Sequence, residues 1–230
     1  MAIHRNRRGR AARFPAVAAA AATAVLMSAC AHVPGVYTYV PASEATASGA
    51  GGAKAFDAKT YVDGIWESKV LPTVDQQATD ATTLLPALAS DQEAASKQYG
   101  SQAGTGSPYA FLVRGTGTVT EVEEDSPSHP LTVKVDGVKG DGSTVHVVTG
   151  PVIAGTALRD AVKFIKFSDF TNQLDYADAG TGLNQKVKTE VLDKVDAKSL
   201  VGKKVDFTGA FSLVAPGVYL VIPTRLAAAS

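Results

Sequence analysis

The chain has 230 residues, 45% of them hydrophobic and 19% charged, with a single cysteine; that composition excludes a disordered chain, a collagen and a disulfide scaffold. Its 22 basic and 22 acidic residues cancel, but Arg5, Arg7, Arg8, Arg10 and Arg13 crowd the start with no acid among them. Without that segment 17 basic residues face 22 acidic ones, a net −5, which argues against nucleic acid as a partner because phosphate binding needs a basic footprint.

The first elements are those of a leader. Behind the arginines runs an alanine-rich apolar stretch from Phe14 to Met27, then Ser28-Ala29-Cys30. This is the three-part layout of a secretory signal over 1–29. The apolar run falls short of the roughly 20 residues that span a bilayer as a helix, so it reads as a signal core. Leu26-Met27-Ser28-Ala29-Cys30 resembles a bacterial lipobox, with Met27 where leucine is usual. Cys30 is then expected to carry diacylglycerol in thioether linkage and to become the first mature residue. A free thiol is a liability in an oxidising compartment, and the chain's only cysteine stands at the processing point; an ordinary signal peptide is the alternative. Arg7-Arg8 raises a twin-arginine export route, which the residues behind them do not support. Residues 30–55, with Ser43, Ser48, Gly49, Gly51 and Gly52 and few large apolar side chains, read as a flexible tether. Ala31, rather than an aspartate, follows the cysteine, which by analogy with lipoprotein sorting points to an outer membrane in a two-membrane cell.

A single globular domain is expected over 56–230, helical over 56–100. Asp57 caps a first helix with Tyr61, Val62, Ile65, Trp66 and Val70 on one side, stopped by Pro72. Val74, Ala78, Ala81, Leu85 and Leu88 continue the helical period in a second stretch, kinked or interrupted at Pro86. Ser90-Asp91-Gln92-Glu93 has capping-box spacing and opens a short helix ending at Gly100. The period then switches to two. Tyr109 to Val122 is a strand with Phe111, Val113 and Val119 on one face, and Gly115 and Gly117 on that face predict a bend or a close backbone approach. Leu131 to Val135 and Thr144 to Thr149 are two further strands. A helical block runs from Thr156 to about Val195. Val205, Phe207, Gly209, Phe211 and Leu213 then alternate, and Pro216-Gly217 turns the chain onto Val218 to Ile222. Three strands, a helical insert and two more strands give an α+β fold over 109–230: a small OB-like five-stranded β-barrel, with the N-terminal helices packed outside. An open antiparallel sheet with helices on one face is the alternative.

Catalytic and metal templates fail on spacing. His32, His129 and His146 are not paired at helical spacing, so no metal site is expected. Gly115-Thr116-Gly117 lacks the rest of a dinucleotide loop, Gly202-Lys203 lacks that of a phosphate loop, and no Gly-x-Ser-x-Gly elbow occurs. Asp175 and Asp178 are read as a solvated helix face rather than an acid/base pair. The candidate ligand residues lie instead in the insert. Arg159 and Asp160 fall in the first turn of a helix capped by Thr156, with Arg159 off the apolar stripe of Leu158, Val162 and Ile165. Its guanidinium either clamps a carboxylate or phosphate or pairs with Asp169 or Asp160. Asn172, Gln173 and Asn184 offer amides suited to a hydroxyl-rich ligand, or else satisfy buried backbone. Trp66 and its helix are the candidate partner surface.

The segments Tyr61-Val62-Asp63-Gly64-Ile65-Trp66-Glu67-Ser68-Lys69-Val70-Leu71-Pro72, Gly150-Pro151 to Arg159-Asp160, Phe167 to Gln173, Asn184, and Gly202-Lys203 through Gly209-Ala210-Phe211 resemble a family of bacterial lipoproteins, domain of unknown function 2291. The resemblance spans nearly the whole mature domain. It implies a periplasmic or surface lipoprotein encoded beside sugar uptake systems of the binding-cassette (ABC) type, and it brings no catalytic or binding residue with it. The expected protein is therefore a non-enzymatic accessory or solute-binding lipoprotein without a cofactor, held to the membrane through Cys30, with a sugar-type ABC uptake system or its solute as partner. A structural or protein-interaction module of the envelope is the alternative.

Overall fold

The computed structural model describes residues 55–229. The leader, Cys30 and all but the last residue of the expected tether lie outside them.

Asp57 caps helix α1 (Ala58–Ile65) by accepting the backbone N–H groups of Lys59 and Thr60. Pro72 does not stop the chain there. A π-helical turn over Trp66–Val70 carries α1 directly into α2 (Leu71–Gln77), with the Leu71 N–H reaching the Trp66 carbonyl. Pro72 falls in the first turn of α2, where an N–H is dispensable. The apolar period through Val74, Ala78 and Ala81 then breaks where one continuous helix was expected. Thr79–Asp80 is extended as strand β1, and Asp80 accepts the Thr82 N–H to cap α3 (Ala81–Ser90). Pro86 lies inside α3 without ending it. The cap of α4 (Gln92–Tyr99) is Asp91, one residue after the serine of the expected box.

The strands are β2 (Ala110–Val122), β3 (Leu131–Val135), β4 (Thr144–Val147), β5 (Lys204–Ser212) and β6 (Leu220–Ala228). With β1 they form a six-stranded sheet in the order β1-β2-β3-β4-β6-β5, and β2 also pairs with β5. That last pairing gives β2, β3, β4, β6 and β5 two neighbours each around a ring, which an open sheet lacks. The β4–β6 pair is parallel, as is the short β1–β2 pair. The last strand runs past its expected end at Ile222: Pro223, opposite Gly209, coincides with a register shift between Thr208 and Gly209, where a missing N–H is tolerated.

The glycines of β2 serve close approach. A Cβ on Gly115 would stand 2.9 Å from the Phe207 ring, and one on Gly117 would stand 2.8 Å from a Val133 methyl. The core formed around them includes Phe111, Phe207, Phe211, Leu131 and Val145, with Phe111 stacked on Phe211 at 5.0 Å between ring centroids. Ala110 to Val113 are buried in succession, because helices cover the outer side of β2 where simple alternation predicts solvent.

The helical block between β4 and β5 is more broken than its pattern implied. It comprises α5 (Ala157–Ala161), a 3-10 turn (Phe167–Asp169), α6 (Gln173–Glu190), a second 3-10 turn (Leu192–Lys194) and α7 (Ala197–Leu200). α5 packs on β2 and β5, and α6 packs on α1 and α5. Gly182 of α6 permits the α1 contact, since a Cβ there would sit 3.1 Å from Val62. Trp66 belongs to this core: its side chain is 1% exposed. It therefore offers no docking surface, and that expectation is corrected. Trp66 shares the buried side of this helix with Val62 and Val70, four residues away on either side.

Candidate functional site

α5 is short because Val162 ends it, and Arg159 is carried inward rather than away from the core, leaving it 8% exposed. That corrects its expected position. Burial of a guanidinium is costly unless it is paired and hydrogen-bonded, and this one is. Nε and Nη2 both lie 2.8 Å from Asp160 Oδ1, and Nη1 donates to the Tyr176 carbonyl at 3.1 Å. The guanidinium carbon rests 3.7 Å from the centre of the Tyr176 ring, a cation–π contact. The other Asp160 oxygen accepts from the Thr156 hydroxyl at 2.7 Å. Of the two pairings open to Arg159, the one with Asp160 is formed. Gly180 makes room on α6, since a Cβ would approach the Thr156 methyl to 3.0 Å.

Tyr176 belongs to a chain of aromatic contacts through Phe56, Tyr61, Phe170 and Phe167, with centroids 5.4 to 5.7 Å apart. Burial raises the Tyr176 phenol above its ordinary pKa, against the lowering effect of the nearby Arg159 charge. Tyr61 is raised as well, first by burial and then by the Asp169 carboxylate.

The amides act locally. Asn172 caps α6, its Oδ1 accepting the Asp175 N–H at 2.9 Å, and Gln173 is the exposed first residue of that helix. Asn184 donates from Nδ2 to the carbonyls of Gly155 at 2.9 Å and Ile153 at 3.4 Å, which ties the loop before α5 to α6. Its Oδ1 is buried without a hydrogen-bond partner among the described residues. The five candidates thus do not converge on one cavity. Asp160 lines a cleft of about 380 Å³, Asn184 lines a different one of about 450 Å³, and Asn172 and Gln173 line neither.

The family model for predicted periplasmic lipoproteins, domain of unknown function 2291, matches residues 20–227. The chain belongs to this family. No curated protein matches it. A crystal structure of an OB-fold protein from Thermotoga maritima is similar, at 24% identity and a TM-score of 0.63, over 76% of this chain and 100% of that one. The likeness places an OB-type strand arrangement under the α+β architecture described above. In this lipoprotein no helix among the described residues is long and apolar enough to cross a membrane.

Beside Asp160, Phe167, Ser168 and Tyr176, the 380 Å³ cleft of the lipoprotein is lined by Ser101, Lys163 and Lys166, which sequence reasoning did not single out. Ser101 comes from the bridge before β2, its hydroxyl donating to the Asp160 carbonyl. Lys163, Lys166, Phe167 and Ser168 come from the segment after α5, and Tyr176 closes the wall. Fifty-nine positions separate Ser101 from Asp160, and neither belongs to a motif that announces the other.

Proposed function

We propose that the protein is a membrane-anchored, non-enzymatic accessory or solute-binding lipoprotein of the cell envelope, linked to sugar uptake. It is held by lipid on Cys30 and faces the periplasm or the cell exterior. In this reading the strand ring is a small OB-like barrel that serves as a rigid support, and the broken insert carries the binding surface. One observation supports it above the rest: the cleft beside Arg159 and Asp160 combines hydroxyls, lysines and two aromatic rings, the mixture that suits a hydroxylated solute. The partner is then an ABC-type uptake system or the solute that system carries. A structural or protein-interaction module is the second reading. It rests on Phe167 and Leu174, exposed at 47% and 68%, instead of on Trp66.

The test is native mass spectrometry of the mature protein, taken from its own envelope in mild detergent. A small molecule retained on the wild-type chain is the expected result. A bare mass with a co-purifying protein overturns solute binding in favour of the interaction module. The anchor is tested separately by feeding cells labelled palmitate: the wild type takes up label and Cys30→Ala does not, whereas equal labelling refutes the lipid site.

A further inference from the structure

Three clefts of the described surface differ in the kind of charge they hold. One of about 570 Å³ lies between α1 and α6, and most of its ions are paired: Asp63 meets Lys59 and Lys186, Lys186 also meets Glu190, and Asp178 adds a further carboxylate. In the 450 Å³ cleft Lys188 is held by Asp193 at 2.7 Å, and Asn184 is turned onto its own loop. The 380 Å³ cleft is lined by Lys163 and Lys166, whose ammonium groups form no ion pair among the described residues, although the Lys166 backbone N–H donates to the Asp169 carboxylate at 3.1 Å. The one acid in its wall, Asp160, is already committed to Arg159 and Thr156. The two ammonium groups of this cleft therefore have no carboxylate paired with them among the described residues.

Lys163 is placed there at a conformational cost. Its φ is +63°, and the Phe164 N–H bonds back to the Val162 carbonyl at 2.7 Å across it. Such a tight three-residue turn with positive φ is rare and strained for a side chain other than glycine. Val162 and Ile165, 2% and 4% exposed, pin the turn from both sides. Glycine would fill the position without strain, so the lysine is accounted for by what its ammonium does. Phe167 stands half out of the surface, edge-on to Tyr176 with centroids 5.7 Å apart. It leaves an apolar wall next to the lysines and the Ser168 hydroxyl.

We propose that this cleft binds a small hydroxylated anion, a ring bearing one carboxylate or phosphate, with Lys163 and Lys166 on the charge and the ring against Phe167. The inference rests on the solute-binding reading and narrows it. It is tested by calorimetric titration of the mature protein in detergent with glucuronate, glucose 6-phosphate and glucose. At least one of the two anions binds, tenfold or more tightly than glucose, and its affinity falls as salt is added. Lys163→Gly and Lys166→Gln each lower that affinity tenfold or more, the loss of one charge-assisted contact, while Lys188→Gln in the neighbouring cleft leaves it unchanged. Lys163→Gly relieves the strained turn and keeps the fold, which thermal denaturation verifies. Glucose binding as tightly as the anions, anion binding indifferent to both lysine variants, or no heat from any of the three overturns the inference. The first of these leaves solute binding standing, and a bare native mass removes it as well.

Discussion

Trp66 is the only tryptophan in the chain, so one substitution and one fluorophore test the placement of the whole N-terminal segment. The side chain is 1% exposed. Burying an aromatic of this size removes roughly 150–250 Å² from water, about 4–6 kcal/mol at 25 cal/mol per Å² as an upper figure. Truncations of buried tryptophan or phenylalanine cost about 3–5 kcal/mol because the cavity collapses only in part. Each kcal/mol moves Tm by about 2–4 °C in a domain of this size, so Trp66→Ala is expected to lower Tm by about 6–20 °C. In the wild type the emission is blue-shifted and shielded from iodide, and it moves to longer wavelength only in the unfolding transition. Iodide quenching like that of free tryptophan, or an alanine variant within about 2 °C of wild type, would refute burial and return Trp66 to the surface.

Three further outcomes probe the insert and the helix pair beside it. Arg159→Ala strips a buried carboxylate of its partner and should cost about 3–5 kcal/mol in chemical denaturation; a loss below about 1 kcal/mol, the size of a surface ion pair, means that the Arg159–Asp160–Tyr176 unit does not hold the insert. Asn172→Ala removes the cap of α6 and is expected to cost about 1 kcal/mol, with Asn172→Asp close to wild type; equal losses in both exclude capping. Asp63 is held below its ordinary pKa by hydrogen bonds from Lys59 and Lys186, so its contribution is present above the unfolded carboxylate pKa and fades as pH falls through the folded one. Melting curves of wild type and Asp63→Asn should therefore differ at neutral pH and converge in acid, and a pH-independent gap contradicts the pairing.

How legible each part was depended on whether its cause was local. Strands β2 to β6 were found because their alternation is a property of neighbouring residues, α1 because an aspartate stands before it, and α4 from the Ser90 to Glu93 spacing, one residue ahead of the Asp91 that caps it. The break at Ala78 to Asp80 was missed because the apolar period runs straight through it. What decides it is a parallel pairing of Thr79 and Asp80 with Val113 and Arg114, more than thirty positions on. Arg159 was singled out correctly as unusual and oriented wrongly. A short helix places a residue inside or outside according to what packs over it, and the cover here is Tyr176 of α6. Lys163 carries no signature at all, since a left-handed lysine looks in sequence like any other lysine.

The pairing of β2 with β5 joins Ala110 to Ser212 and Thr118 to Lys204, positions far apart along the chain. Nothing made early can supply β5, so a polypeptide emerging amino end first holds β2 with one flank open until residues 204–212 arrive. Loop closure of that length makes folding slow, and an unpaired strand flank invites association with other chains. A chain complete through α7 therefore still exposes that flank, and only the carboxyl-terminal hairpin of β5 and β6 closes it.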